Sequence, residues 1–120
     1  MKLRIRGNSL RFRLNQTEIA DLANGIEVKE TTDFGKGEIF IYSIFPAEIE
    51  QITANFLNGK IQISVPFQSA KHLAESDEVG FSANQNSLKI LIEKDFACLQ
   101  PRGEEDKDTF PHPKGNDLKC

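Results

Sequence analysis

Five basic side chains alternate with apolar ones at the start of the chain. They are Lys2, Arg4, Arg6, Arg11 and Arg13. Because successive side chains of a β-strand point to opposite faces, this spacing predicts that all five share one face of a hairpin whose other face is apolar. Guanidinium groups pair bidentately with phosphate oxygens. The pattern therefore favours anion binding, with the phosphates of DNA or RNA as the functional interpretation.

The basic face needs a negative partner, because directly opposed like charges on paired strands are destabilising by a few tenths to about 1 kcal/mol. A small anionic ligand is one alternative to nucleic acid. Intramolecular neutralisation is another, by Glu27 and Glu38 on neighbouring strands or by an acidic tail. The tail acids are Glu104, Glu105, Asp106 and Asp108. Single-stranded RNA is disfavoured, since the aromatic Phe12 belongs to the apolar face and leaves no stacking group beside the arginines.

Catalytic and metal-binding chemistry has little support in the residue pattern. A cysteine nucleophile needs a nearby base, and His112 follows Cys98 only through a proline-rich stretch. Zinc sites typically contain a close ligand pair such as C-x-x-C, whereas Cys98 and Cys120 stand far apart. His72 is expected on a helix, partly exposed. We therefore expect no enzyme, no metal and no cofactor, with both cysteines reduced.

The basic hairpin opens a unit that occurs twice. Residues 2–30 align with residues 53–81 without a gap, at a displacement of fifty-one positions. Both copies alternate apolar and polar residues around a dipeptide suited to a two-residue hairpin loop, Gly7-Asn8 in the first and Asn58-Gly59 in the second. The predicted core positions are Leu3, Ile5, Leu10, Phe12 and Leu14, matched by Ala54, Phe56, Ile61, Ile63 and Val65. This correspondence indicates an internal duplication.

A short helix should follow each hairpin. Asn15 can cap the first helix, with Glu18 as the capping-box partner and Gly25 placed to end it. The second helix can begin near Pro66, since proline is tolerated in the first turn. Two further strands then close each unit, at residues 26–32 and 38–45 in the first and at 78–83 and 87–93 in the second.

Length, composition and net charge limit the classes of protein to which this chain can belong. A chain of 120 residues with 38% hydrophobic residues can form one compact domain. The net charge of −3 argues against a protein coated in nucleic acid, although the basic start and the acidic end oppose each other. No apolar run is long enough for a membrane span and no signal-peptide pattern is present, so we expect no membrane association and a cytoplasmic location.

The segment KLRIRGNSLRFRLNQTEIADL resembles the opening of AbrB/MazE/SpoVT-type domains, which combine a basic strand, a GNS turn, a second strand and a short helix. The segment GKIQISVPFQSAKHLAESDEVGF is similar to the same domain again. The arrangement resembles that of the tandem MraZ-type proteins. The whole chain also resembles an uncharacterised group of small bacterial proteins whose sequences end in EKDFxCLxPR.

This resemblance implies a swapped-hairpin barrel in which one chain supplies both interleaved copies. It also implies DNA binding, since members are commonly transcriptional regulators or antitoxins whose tails bind a toxin. Arg4, Asn8 and Arg13 match the positions that contact DNA in the family, with Arg6 and Arg11 as added basic neighbours. Because the second copy lacks the basic residues, two-fold recognition of DNA would need a homodimer.

The predicted fold is thus α+β and mostly antiparallel β: a tandem-repeat swapped-hairpin barrel, or intrachain pseudo-dimer, with two short helices. It spans residues 1–95, from repeats 1–45 and 51–94, followed by a flexible, acidic, proline-containing tail at 96–120. The predicted function is a non-catalytic DNA-binding regulator or antitoxin-like protein. The alternative is a protein-interaction domain whose arginine face is neutralised by its own tail, with Glu104, Glu105, Asp106 and Phe110 binding a protein partner.

Overall fold

A computed structural model describes residues 1–97 and 108–111 of the chain. The first half contains β1 (Lys2–Arg6), β2 (Ser9–Leu14), α1 (Gln16–Ala23), β3 (Val28–Asp33) and β4 (Ile39–Ala47). The second half contains β5 (Thr53–Leu57), β6 (Lys60–Pro66), α2 (Phe67–Glu75), β7 (Gly80–Gln85) and β8 (Leu88–Lys94). Both halves therefore run hairpin, helix, hairpin. The elements β5, β6 and α2 each begin fifty-one positions after their counterparts in the first half.

Local sequence accounts for the turns and helix ends. Asn58 and Gly59 both have positive φ, as the tight turn between β5 and β6 requires. At the start of α1 the side chain of Asn15 accepts from the Glu18 N–H, and the Glu18 carboxylate accepts from the Asn15 N–H, so the predicted capping box is confirmed. Among the described residues, neither helix has the length and apolar character needed to cross a membrane.

The strands form two four-stranded sheets, each built from both halves of the chain. The first sheet has the order β1-β2-β8-β7 and the second has the order β3-β4-β6-β5. All hairpin pairs are antiparallel, whereas the central pairs β2-β8 and β4-β6 are parallel. Each sheet thus joins one hairpin of the first half to one of the second half.

The core lies between the two sheets and beneath the helices. Phe12, Leu14, Ile63 and Ile92 are fully or almost fully buried there, and Leu73 of α2 joins them. Leu10, Ile61 and Val65 are also buried, as the alternation predicts.

Two of the predicted core positions are wrong. Ile5 is 57% exposed and Phe56 is 70% exposed. Both side chains lie at the hairpin-turn end of the space between the sheets and line an open cavity there. The helices lie at the opposite end, so they leave this end uncovered.

The two sheets do not close into the predicted barrel within the described residues. At one pair of edges, the Gln85 side chain of β7 accepts from the Ala54 N–H of β5 at 2.8 Å and donates to the Ala54 carbonyl at 2.9 Å. At the other pair, the Met1 ammonium contacts Glu30 of β3 at 3.0 Å and also contacts Glu18 of α1. Side chains and the chain start therefore link edges that a barrel would join by a backbone ladder.

Candidate functional site

The predicted basic residues share the outer face of the first sheet. In the β1-β2 hairpin Arg4 lies opposite Arg11, and Lys2 lies opposite Arg13. Paired residues of this kind have Cβ atoms about 4.5–5.5 Å apart, so the positive charges are crowded. The alternation seen in the sequence therefore places these side chains on one surface, as predicted.

The parallel strand β8 enlarges this surface in a way that the sequence interpretation missed. Lys89 lies beside Ser9 in the parallel register, and Ser9 lies opposite Arg6. We call the surface formed by these side chains the basic sheet face. Its basic members are Lys2, Arg4, Arg6, Arg11, Arg13 and Lys89. Lys89 joins this face because β8 pairs with β2. The basic segment alone does not show this pairing, but the internal repeat implies that hairpins of the two halves lie side by side.

Part of the basic sheet face is neutralised by acids on and after β8. Arg11 Nε lies 3.2 Å from Glu93 Oε1, and Arg13 Nε lies 3.9 Å from the same oxygen. Lys2 Nζ lies 2.9 Å from Asp95 Oδ2, in an ion pair whose carboxylate side chain is only 8% exposed. The neutralising acids thus differ from Glu27 and Glu38, the strand acids predicted from the sequence. Both of those are exposed, and within the described residues neither forms an ion pair with the basic sheet face.

Arg4, Arg6 and Lys89 form the part of the face that no described carboxylate neutralises. All three are exposed, and no carboxylate of residues 1–97 or 108–111 lies within 4.0 Å of their charged nitrogens. Arg4 and Arg6, together with Ser9 and Arg11, line a surface depression of about 100 Å³. A hydroxyl and three guanidinium groups around a small depression are suited to phosphate-like oxygens, which accept charge-assisted hydrogen bonds from arginine.

Asn8 lies at the turn end of the basic sheet face and joins two hairpins. The side-chain nitrogen of Asn8 donates to Ser87 Oγ at 3.0 Å. The backbone carbonyl oxygen of Asn8 accepts from the Lys89 N–H, also at 3.0 Å. The resemblance assigns Asn8 a DNA contact. The geometry gives it a second task, which is to hold the β1-β2 turn against the start of β8.

The described part of the tail packs against the folded domain. The Thr17 N–H at the start of α1 donates to the Asp108 carboxylate at 3.1 Å, and the Gln16 N–H donates to the Asp108 carbonyl at 2.9 Å. A carboxylate at this end of a helix compensates the partial positive charge of the exposed N–H groups. Asp108 therefore accepts hydrogen bonds from the first turn of α1 and stabilises that helix end, rather than neutralising the basic sheet face.

Phe110 anchors the same segment. Its ring centroid lies 5.9 Å from that of Phe96, and Lys94 Nζ lies 5.2 Å from the ring centroid. The Phe110 N–H donates to the backbone carbonyl of Asp95, the residue whose carboxylate pairs with Lys2. The other predicted partner-binding residues, Glu104, Glu105 and Asp106, lie outside the described residues, as do Cys98, His112 and Cys120.

A cluster around the chain start is separate from the basic sheet face. Burial of the Met1 ammonium lowers its pKa, but hydrogen bonds to the Glu18 and Glu30 carboxylates outweigh burial, so the pKa is raised above the usual 8.0. Burial together with the same two acids raises the pKa of Tyr42. These groups connect the residue before β1 to α1, β3 and β4, and we assign them to stability.

Comparison with known proteins yields a family but no activity. The model of a family of unknown function, DUF7009, matches residues 1–114. No curated protein and no solved structure matches the chain. The family match covers both halves of the fold and all residues of the basic sheet face. The chain belongs to the DUF7009 family.

Proposed function

We propose that the chain is a non-catalytic DNA-binding module that contacts duplex DNA through the basic sheet face. The observation that carries this proposal is the pair Arg4 and Arg6, two exposed guanidinium groups without a described carboxylate within 4.0 Å. Arg4 also lies opposite Arg11 on the paired strand, and opposed like charges are destabilising unless a negative group lies close to them. An external polyanion supplies that group.

The extent of the surface favours a polyanion over a small anion. The six basic side chains lie on three adjacent strands, β1, β2 and β8. Arg4 and Arg6 are two residues apart on β1, which corresponds to roughly 6.6 Å along a strand. One small anion can reach the depression between them but cannot also reach Arg13 and Lys89. A DNA backbone has phosphates at regular intervals and can contact several of these side chains together.

The topology supports a regulatory role by analogy of fold. We infer that the two halves are tandem copies of a swapped-hairpin domain of the AbrB/MazE/SpoVT type. This inference is supported by the repeated order of elements and by sheets that each combine hairpins from both halves. Since fold alone does not determine function, the basic residues carry the functional argument and the topology adds only context.

A tail that binds a protein partner has less support. Phe110 is the apolar anchor that such a tail would offer, and it already packs against Phe96 within the chain. A partner would have to displace this contact and the hydrogen bonds of Asp108 to α1.

The proposal is tested by NMR titration of the ¹⁵N-labelled full chain with a random-sequence duplex. We expect chemical-shift changes to concentrate on the amides of β1, β2 and β8. Inorganic phosphate at the same total phosphate concentration is the control and should shift mainly residues around the depression near Ser9. Changes concentrated on the outer face of the second sheet, or no changes at low salt, would refute the proposal. Equal effects of phosphate and DNA would favour a small-anion site.

A further inference from the structure

The second sheet has an edge strand that lacks the usual protection against pairing. β5 contains no charged residue, whereas its counterpart β1 contains three basic residues. Natural edge strands carry charges because these oppose pairing with other chains. Phe56 and Leu57 of β5 are each 70% exposed. Of the other described edges, β3 carries charges and β7 has no large exposed apolar side chain. β5 is therefore the edge best suited to a partner strand.

The backbone of β5 is oriented for such pairing. The N–H and carbonyl of Ala54 point away from β6, since both are hydrogen-bonded to the Gln85 side chain of β7. In an antiparallel pair, alternate residues direct their N–H and carbonyl groups to the same side. Phe56 is two residues beyond Ala54, so its N–H and carbonyl also point away from β6. The Gln85 side chain thus satisfies both backbone groups of Ala54, whereas the N–H and the carbonyl of Phe56 face outward at the edge.

Space is available on both faces of this edge. A cavity of about 450 Å³ lies between the sheets, and it is lined by Ile5, Phe40 and Phe56 among others. A second cavity of about 680 Å³ lies on the outer face, lined by residues that include Ile41 and Leu57. Asn55 and Phe56 border both. Because an added strand projects alternate side chains to opposite faces, it needs room on both sides.

We propose that β5 pairs with β5 of a second copy of this chain, in antiparallel orientation around a two-fold axis at Phe56. In this register each Phe56 donates its N–H to the carbonyl of the other Phe56, and Leu57 lies opposite Asn55 of the second copy. The two four-stranded sheets thus meet along the Phe56 pair, and the next pair of this register, Ala54 with Asn58 of the second copy, forms only when the Gln85 amide leaves Ala54. The interface is isologous, as in most homodimers.

Charge selects a second copy as the occupant. An uncharged strand can lie beside itself without opposing like charges, whereas self-pairing of β1 would bring its basic residues together. Of the described residues that line the two cavities, Lys60 alone is charged. A strongly acidic or basic peptide would find little charge complementarity there.

Oligomeric state in solution tests the proposal. Analytical ultracentrifugation of the full chain over a concentration series should give a species of twice the 13.5 kDa chain mass. Phe56→Glu opposes two carboxylates at the two-fold axis and should give a monomer with an unchanged circular dichroism spectrum. Phe34→Glu is the matched control, because Phe34 is also an exposed phenylalanine, at 72%, but follows β3 and lines neither cavity. A monomeric wild type at every concentration overturns the proposal, and so does dissociation by Phe34→Glu.

Cysteine cross-linking tests the register. In a background of Cys98→Ser and Cys120→Ser, we compare Phe56→Cys with Leu57→Cys, at two positions of equal exposure. A hydrogen-bonded antiparallel pair has Cα atoms about 5.5 Å apart, within the range of disulfides. Phe56→Cys should therefore form a disulfide-linked dimer on mild oxidation much faster than Leu57→Cys, whose side chain lies off the axis. Equal rates, or a faster rate at Leu57, would overturn the register.

Discussion

Glu93 is the residue whose removal should strengthen DNA binding. Its carboxylate neutralises Arg11 at 3.2 Å, and it approaches Arg13 at 3.9 Å. The Arg11 and Glu93 side chains are 36% and 25% exposed, so the pair is solvent-screened and worth about 0.2–1 kcal/mol. Arg11 must give up this interaction to contact a phosphate. At 1.4 kcal/mol for each tenfold change in affinity, Glu93→Gln should tighten DNA binding by about 1.4-fold to five-fold.

The assay is fluorescence anisotropy with a labelled random-sequence duplex at several salt concentrations. Because each newly available phosphate contact adds about 0.9 to the slope of log affinity against log salt, the slope should steepen by about 0.9 for Arg11 alone and by about 1.8 if Arg13 also contributes. Glu38→Gln is the control, since it makes the same change to the net charge from an exposed position just before β4 of the other sheet. Unchanged or weaker binding by Glu93→Gln, or an equal gain from Glu38→Gln, would refute the reasoning.

Three further predictions concern stability. Phe110→Ala removes a half-buried ring packed on the core and should cost about 1–3 kcal/mol in urea unfolding, below the 3–5 kcal/mol of a fully buried phenylalanine; unchanged stability would show that the tail segment is not anchored by this ring. Because the pKa of the Met1 ammonium is raised above 8.0 in the folded state, its stabilising effect is complete below about pH 8 and is lost as pH rises through the folded-state pKa. Urea unfolding should therefore show stability that falls as pH rises above about 8, and Glu18→Gln with Glu30→Gln should flatten this decline. Gly80→Ala would bring a Cβ within 2.3 Å of a backbone carbonyl oxygen on β8, and it should lower the unfolding free energy by at least about 2 kcal/mol, whereas a smaller loss would mean that β7 shifts easily.

Most of the local structure could be predicted from the sequence because it depends on neighbouring residues. The capping box of Asn15 and Glu18 and the turn at Asn58-Gly59 follow from side-chain chemistry over two to four positions. Period-two alternation likewise placed Phe12 and Ile63 in the core. These are short-range rules, and they needed no knowledge of which strands pair.

The misplaced residues depend on how the two sheets meet. Ile5 and Phe56 obey the apolar alternation, yet both project into an open end that the helices leave uncovered. No pattern along β1 or β5 shows where the opposing sheet stops. The expected barrel was wrong for a related reason, since closure depends on edge contacts such as that of Gln85 with Ala54.

The candidate site was predictable only in part. The arginines share a face because of strand periodicity alone, so the basic hairpin was visible in the sequence. Lys89 and Glu93 join that face through the parallel pairing of β2 with β8, between residues about eighty positions apart in the chain. The family match assigns no activity that could have supplied this information.

The salt dependence of DNA binding tests the central claim most directly. Anisotropy titrations of the full chain with random duplex should give a log–log slope at least as steep as about −1.8, the value for two phosphates neutralised by Arg4 and Arg6. Arg4→Gln with Arg6→Gln should reduce the slope by about 1.8, whereas the charge-matched control Lys29→Gln with Lys71→Gln, on β3 and α2, should leave it unchanged. Absence of binding at low salt, or an equal loss with the control pair, would contradict the account.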